Sequence, residues 1–308
     1  MTTTPWNTVL IDSLVGRVVG RRREIEQAVA ALAAERHLLL EGPPGTGKST
    51  LLRAIAHGVG TGFEFVEGNA ELTPARLVGT FDPAAVLDAG YSPDVFIDGP
   101  LTAALREGSL LYLEEINRIP EETLNVLITV MSEGELHVPR LGRIVAAPGF
   151  RLVAAMNPFD AVGTARISGA VYDRVCRLAM GYQPPDDELV IVGREAPDAS
   201  HTLGAGFLLQ AVELVRATRS HADVRTGSSV RGAIDLVMLA DRLAALRGTS
   251  GTDGGVTLDA CLLALSGRIR VREGSGRSAD EIVTELWSKY FGAPAEPHDH
   301  DGAADPKL

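Results

Sequence analysis

With only two cysteines in 308 residues, Cys176 and Cys261, the chain has no spaced set from which a disulfide framework or a zinc site could be built. Both lie in apolar stretches, which predicts packing roles in a reducing compartment. Long hydrophobic runs are missing too. No segment reaches the roughly 20 apolar residues that a membrane helix needs, and residues 1–14 lack a basic segment followed by an apolar one, so a leader peptide is not expected. Positive charge is scarce: 29 Lys and Arg against 40 Asp and Glu leave a net charge of -11. That balance disfavours a general nucleic-acid binder, whose affinity for phosphate comes from clustered cations. These absences leave a soluble, cytoplasmic globular protein, and 45% hydrophobic residues are enough to bury a substantial core.

What the chain does have is a phosphate-loop signature, Gly42-Pro43-Pro44-Gly45-Thr46-Gly47-Lys48-Ser49. At this spacing glycines let backbone N–H groups close around phosphates, lysine supplies a fixed cation, and serine a hydroxyl on the magnesium side. The flanks agree. His37-Leu38-Leu39-Leu40 reads as a buried parallel strand, and Leu51, Leu52, Ile55 and Ala56 fall at helical spacing.

Upstream, Val18-Val19-Gly20-Arg21 precedes an amphipathic helix expected over residues 22–36, with Ile25, Val29, Leu32 and Ala33 on one face. Downstream, residues 63–66 predict a second strand, and residues 71–99 carry repeated Pro, Gly and Asp without a long periodic run. Residues 109–113 predict an apolar strand ending in Glu114-Glu115, and Pro120 opens a helix with a stripe of Leu124, Leu127, Ile128 and Met131. Residues 135–150 predict a hairpin; residues 151–156 and 175–180 predict further strands. Strand–helix alternation implies a parallel sheet covered on both faces. Near Gln183 the pattern changes to helices only, as far as Tyr290. The expected domains are therefore 1–182, an αβα nucleotide-binding domain; 183–290, a smaller all-α lid; and 291–308, a disordered tail. In that tail His298-Asp299-His300-Asp301 reads as solvated rather than metal-binding.

Acidic groups at the carboxyl end of a buried parallel strand stand where such sheets bind ligands. Glu114 is assigned to magnesium and Glu115 to activating the attacking water. Asn157 could hold that water or the γ-phosphate by hydrogen bonds, although by itself it also reads as a turn residue before Pro158. Arg174 and Arg231 could neutralise charge developing on the γ-phosphate; each alone also fits a surface ion pair.

Val19-Gly20, the loop 42–49, Gly99-Pro100-Leu101, Glu114-Glu115-Ile116-Asn117-Arg118, Asn157-Pro158, Gly163-Thr164, Asp173-Arg174 and Gly227-Ser228-Ser229-Val230-Arg231 together resemble the MoxR family of AAA+ ATPases. The resemblance spans nearly the whole chain to Tyr290. It implies a P-loop AAA+ αβα sandwich with a helical lid, and ATP and Mg2+ as cofactors. Nucleotide would be bound by Val19, Gly20, Gly42, Pro43, Pro44, Gly45, Thr46, Gly47, Lys48, Ser49 and Thr50. It implies metal-side groups at Ser49 and Glu114, the catalytic glutamate at Glu115, sensor 1 at Asn157, an arginine finger at Arg174 and sensor 2 at Arg231. Residues 71–99 would be the insert in the second helix, and residues 135–150 a pore-facing hairpin. Two positions depart from the family pattern: Glu114 stands where it has Asp, and Val175 where it has Phe.

The resemblance further implies a homo-oligomeric ring, usually a hexamer, that hydrolyses ATP for chaperone-like remodelling of a protein client. Its partner would carry a von Willebrand factor A domain; membrane insertion is not expected. The alternatives are a nucleotide-dependent scaffold with little hydrolysis and a nucleic-acid-translocating ring, the latter motivated by Arg140 and Arg143 in the hairpin.

Overall fold

The computed structural model describes residues 6–158 and 167–292, so Gly163-Thr164 and the histidines of the tail lie outside the described residues. Two compact units divide between Asp187 and Glu188.

The first unit opens with α1 (Thr8–Arg17), whose N-cap Asn7 accepts a hydrogen bond from the Leu10 amide. Next comes α2 (Arg22–Ala33), burying Ile25, Ala28, Val29 and Leu32. The helix stops short of the expected residue 36 because Glu35 turns left-handed, with φ 60°. The chain continues through β1 (His37–Glu41), α3 (Lys48–Val59) and β2 (Phe63–Glu67). The Pro- and Gly-rich stretch holds α4 (Pro74–Val78), β3 (Gly79–Phe81), α5 (Pro83–Ala89) and β4 (Phe96–Asp98), each too short to show a period. Then follow α6 (Pro100–Glu107), β5 (Leu110–Glu114), α7 (Glu121–Glu133), the hairpin strands β6 (Glu135–Val138) and β7 (Gly142–Val145), and β8 (Arg151–Met156). The unit closes with α8 (Gly169–Tyr172), β9 (Val175–Ala179) and the start of α9 (Pro185–Glu195).

Five strands form one sheet in the order β2-β5-β8-β1-β9, every neighbouring pair parallel. Alternation along the strands splits the core in two. Leu39, Leu111, Leu113, Leu152 and Ala154 pack on one face, while Leu38, Leu40, Leu110, Tyr112, Val153 and Ala155 pack on the other. Burying both faces explains the near-continuous apolar runs of β1, β5 and β8. Cys176 departs from its expected packing role: it is exposed, because β9 is an edge strand of the sheet. Cys261 is buried, and that burial pushes its thiol up to about 12.

The second unit has its own core, built by α10 (Pro197–Ser220), α11 (Val230–Arg247), α12 (Gly254–Leu265) and α13 (Ala279–Tyr290). Gly204, with φ 79°, kinks α10. The expectation of helices alone needs correcting: β10 (Val224–Thr226) pairs antiparallel with β11 (Arg270–Val271). Strands of two and three residues leave no alternation to read.

Candidate nucleotide site

β1 ends at the buried Glu41, and the loop that follows has no room for a side chain at its first glycine. A Cβ on Gly42 would stand 2.0 Å from the Met180 carbonyl oxygen, so only glycine fits there. Gly45 and Gly47 hold φ of 72° and 85°, and Gly47 delivers the chain left-handed into α3. Lys48 is the first residue of that helix. Its ammonium is buried and donates to the carbonyls of Gly42 at 2.8 Å and Pro43 at 2.9 Å, wrapping the loop around the cation. Thr46 is also buried, its hydroxyl donating to the Pro43 carbonyl at 3.0 Å. Pro44 and Thr50 are exposed at the rim. Helix N-terminal amides and the helix dipole favour an anion at this point.

Arg21, beside Val19 and Gly20, is 3% exposed and grips the loop from outside. Its guanidinium donates to the carbonyls of Thr46, at 3.0 Å, and Gly181, and pairs with Glu24 at 2.7 Å. The sequence marks Val19-Gly20 but not this arginine, because a buried cation is invisible until its carbonyl acceptors are known.

The second half of the site comes from β5. Ser49 Oγ lies 3.2 and 3.3 Å from the two carboxylate oxygens of Glu114, across 65 residues of sequence. The β2–β5 register runs unbroken from Phe63↔Leu110 to Glu67↔Glu114, so the strand has not bulged to accommodate the extra methylene. Tyr112, two residues earlier on the same face of β5, places its hydroxyl 3.2 Å from Ser49 Oγ. Burial raises its pKa well above the ordinary value, so the phenol keeps its proton. Its position within an apolar run gave it the look of a core residue.

Glu115 follows in the left-handed region, φ 54°. A non-glycine residue there is strained, and such strain collects at functional sites. Arg118 Nε pairs with its carboxylate at 3.0 Å. Gly68, leaving β2, donates its amide to the Glu114 carbonyl at 2.7 Å; a Cβ on it would meet the Glu115 carbonyl oxygen at 2.5 Å. The backbone of the two glutamates is thus held from the side. Asn157 follows β8, which lies between β1 and β5, so Lys48, Glu114, Glu115 and Asn157 all come from the carboxyl edge of three adjacent strands.

Arg174, between α8 and β9, donates from Nε to Ser132 Oγ and from Nη1 to the Ala170 carbonyl at 2.8 Å. Two residues back, Tyr172 donates to Glu41 Oε1 at 2.7 Å, and Arg177 pairs with the other oxygen. Glu41, 4% exposed, therefore ties the root of the loop to the segment that carries Arg174. Arg231 belongs to the second unit, exposed in the first turn of α11.

Oxygen donors of hydroxyl and carboxylate type suit magnesium, which binds through one or two carboxylates together with substrate phosphates. Ser49 and Glu114 are such a set. Among the described residues no group of three His, Cys, Asp or Glu could hold a metal by itself, so a cation here would depend on the phosphates.

A family model described as AAA domain (dynein-related subfamily) matches residues 37–175. An uncharacterised protein of Staphylococcus epidermidis is 30% identical over 217 residues, spanning 70% of this chain and 82% of the relative. The chain belongs to the AAA+ ATPases. The uncharacterised protein YeaC of Bacillus subtilis is similar to this AAA+ ATPase at 30% identity over 255 residues, 74% of this chain and 76% of YeaC. A candidate ATPase from Cytophaga hutchinsonii shares the fold with a TM-score of 0.52 at 20% identity, over 92% of this chain and 93% of the other. A RuvB variant from Thermotoga maritima does so with a TM-score of 0.58 at 16% identity, over 93% and 82%. The enzyme is thus an ATP hydrolase, and no helix among the described residues is long and apolar enough to cross a membrane.

Proposed function

We propose that this AAA+ ATPase is a MoxR-like motor that assembles into a ring, a hexamer on the family pattern, and hydrolyses ATP to remodel or activate a partner protein. The observation that carries the reading is the contact of Ser49 with Glu114, which joins the phosphate loop to the acidic strand end. Lys48 holds the phosphates, Glu115 accepts the proton of the attacking water, and Asn157 orients that water or the γ-phosphate. Val19 and Gly20 lie against the nucleotide. Arg174, supplied by a neighbouring subunit, and Arg231, on the lid, offset charge on the transferring phosphoryl group. Magnesium, held by Ser49 and Glu114, would neutralise phosphate charge.

A protein client is favoured over nucleic acid by the state of the hairpin. Arg143 pairs with Glu135, and Arg140 lies over the Tyr91 ring at 3.9 Å, so both cations are engaged within the chain. The hairpin strand β7 exposes Val145, at 56%, and β4 exposes Ile97, at 58%. A von Willebrand factor A domain partner is the family's usual companion.

The test is Glu115→Gln. It should bind ATP but stop steady-state phosphate release, and the ATP-trapped form should retain a protein client on purification. Undiminished phosphate release would remove Glu115 from its role, and salt-sensitive binding of single-stranded DNA would instead favour a translocating ring.

A further inference from the structure

A serine hydroxyl offers one proton and two lone pairs, and a carboxylate can only accept. With Ser49 Oγ 3.2 and 3.3 Å from the oxygens of Glu114, the Ser49 proton is committed to that carboxylate. The contact between Ser49 and Tyr112, 3.2 Å between oxygens, is then satisfied with the phenol donating to Ser49, beside the Glu114 carboxylate that the phenol also contacts. One lone pair of Ser49 is thereby used, and one remains.

We infer that Tyr112 is a positioning residue of the cation site, fixing the Ser49 hydroxyl so that its single remaining lone pair serves a hard divalent cation. This rests on the reading of Ser49 and Glu114 as the cation-side groups. The ring is well placed to hold its hydroxyl still. Tyr112 is fully buried and stands directly opposite Phe65 in the β2–β5 register. Ring centroids lie 5.9 Å from Phe63 and 5.7 Å from Phe65. Phenylalanine would fill the same core, and a buried phenol needs a partner for its hydroxyl. Here that partner is Ser49, a side chain of the phosphate loop that also contacts the acidic strand end. The longer side chain of Glu114 adds a further reason for the arrangement: a glutamate has one more rotatable bond than an aspartate, and anchoring its hydroxyl partner limits the positions it can take.

Tyr112→Phe removes only the oxygen. Binding of a fluorescent ATP analogue in EDTA should be unchanged within about twofold, while the Mg2+ concentration needed to saturate the protein–nucleotide complex should rise about three- to tenfold, the worth of one hydrogen bond. In a Ser49→Ala background the same substitution should add nothing further, because its effect passes through Ser49. Equal Mg2+ dependence of Tyr112→Phe and the unaltered protein would overturn the inference. So would an equal loss of nucleotide affinity with and without Mg2+, which marks a packing role, or an undiminished effect in the Ser49→Ala background. The underlying reading fails separately: if Ser49→Ala itself leaves Mg2+ dependence intact, Ser49 is not a cation-side group.

Discussion

Glu114 and an aspartate differ by one methylene, and the Ser49 contact shows where that methylene goes: it carries the carboxylate up to the hydroxyl. An aspartate on the same regular strand would fall short by about one bond length, roughly 1.5 Å, a gap that water can bridge because magnesium keeps several waters in its shell. Glu114→Asp should therefore change turnover at saturating ATP by no more than about tenfold, or 1.4 kcal/mol of barrier. Magnesium-dependent phosphate release from both forms measures it; a much larger gain for Asp would show that glutamate restrains the natural enzyme. His37 gives a second residue-scale expectation. Burial and the neighbouring Arg151 lower its pKa from 6.5 to about 4, and its Nδ1 accepts from the Leu152 amide at 3.0 Å. The folded state thus holds the ring neutral where the unfolded chain would protonate it. Stability should be intact above pH 6.5 and fall as the pH drops toward 4, by on the order of 2 kcal/mol at pH 5. Urea unfolding at pH 7 and 5 should show that loss in the natural chain and a smaller one in His37→Gln. The phosphate loop was legible because its spacing is itself the mechanism. Tyr112 and Arg21 were not, since only tertiary contacts distinguish them from a core aromatic and a surface cation.

At the scale of elements, the start of α11 is held by a buried cluster that no local pattern announces. Glu188 is 1% exposed, with Arg216 at 3.0 Å and Arg219 at 2.8 Å. Arg219 Nε also donates to the Ser228 carbonyl at 2.7 Å, and the Ser228 amide donates to Thr218 Oγ1 at 2.9 Å. A Cβ on Gly227 would meet the Arg219 backbone at 2.6 Å. The end of α10 therefore sets where α11, and Arg231 with it, begins. Removing one partner of a buried ion pair costs about 3–5 kcal/mol. Because Arg216 keeps partial access to solvent, Glu188→Ala should fall at the lower end of that range. Chemical denaturation of the full chain would show it as a lowered midpoint for the second unit; an unchanged midpoint would mean that the cluster is not what anchors α11. Strands β1, β5 and β8 and the β6–β7 hairpin could be read from composition and turn residues. The β10–β11 ribbon could not, because its pairing partners are distant in sequence and its alternation is too brief.

For the whole molecule, the ring proposal makes Arg174 a donor to another subunit's site, although in the single chain its guanidinium rests on Ser132 and Ala170. Arg174→Ala should abolish hydrolysis while sparing ATP binding, and Lys48→Ala should abolish binding. Mixing the two inactive proteins should restore part of the activity, because some interfaces would pair an intact arginine with an intact loop. No recovery in rings shown to co-assemble would mean that Arg174 serves its own subunit. The sheet order has a different consequence, for the chain as it is made. β1 is an early strand placed between two late ones: His37 meets Leu152 115 residues further on, and Glu41 meets Arg177 136 residues further on. Until β8 and β9 have left the ribosome, the phosphate loop has no strand on either side of its root, and the leucines of β1 have only the part of their core that precedes β8. Nascent chains ending before β8 should thus expose an apolar segment that invites chaperones and offer no pocket to ATP, so that nucleotide binding begins only when most of the first unit has been synthesised.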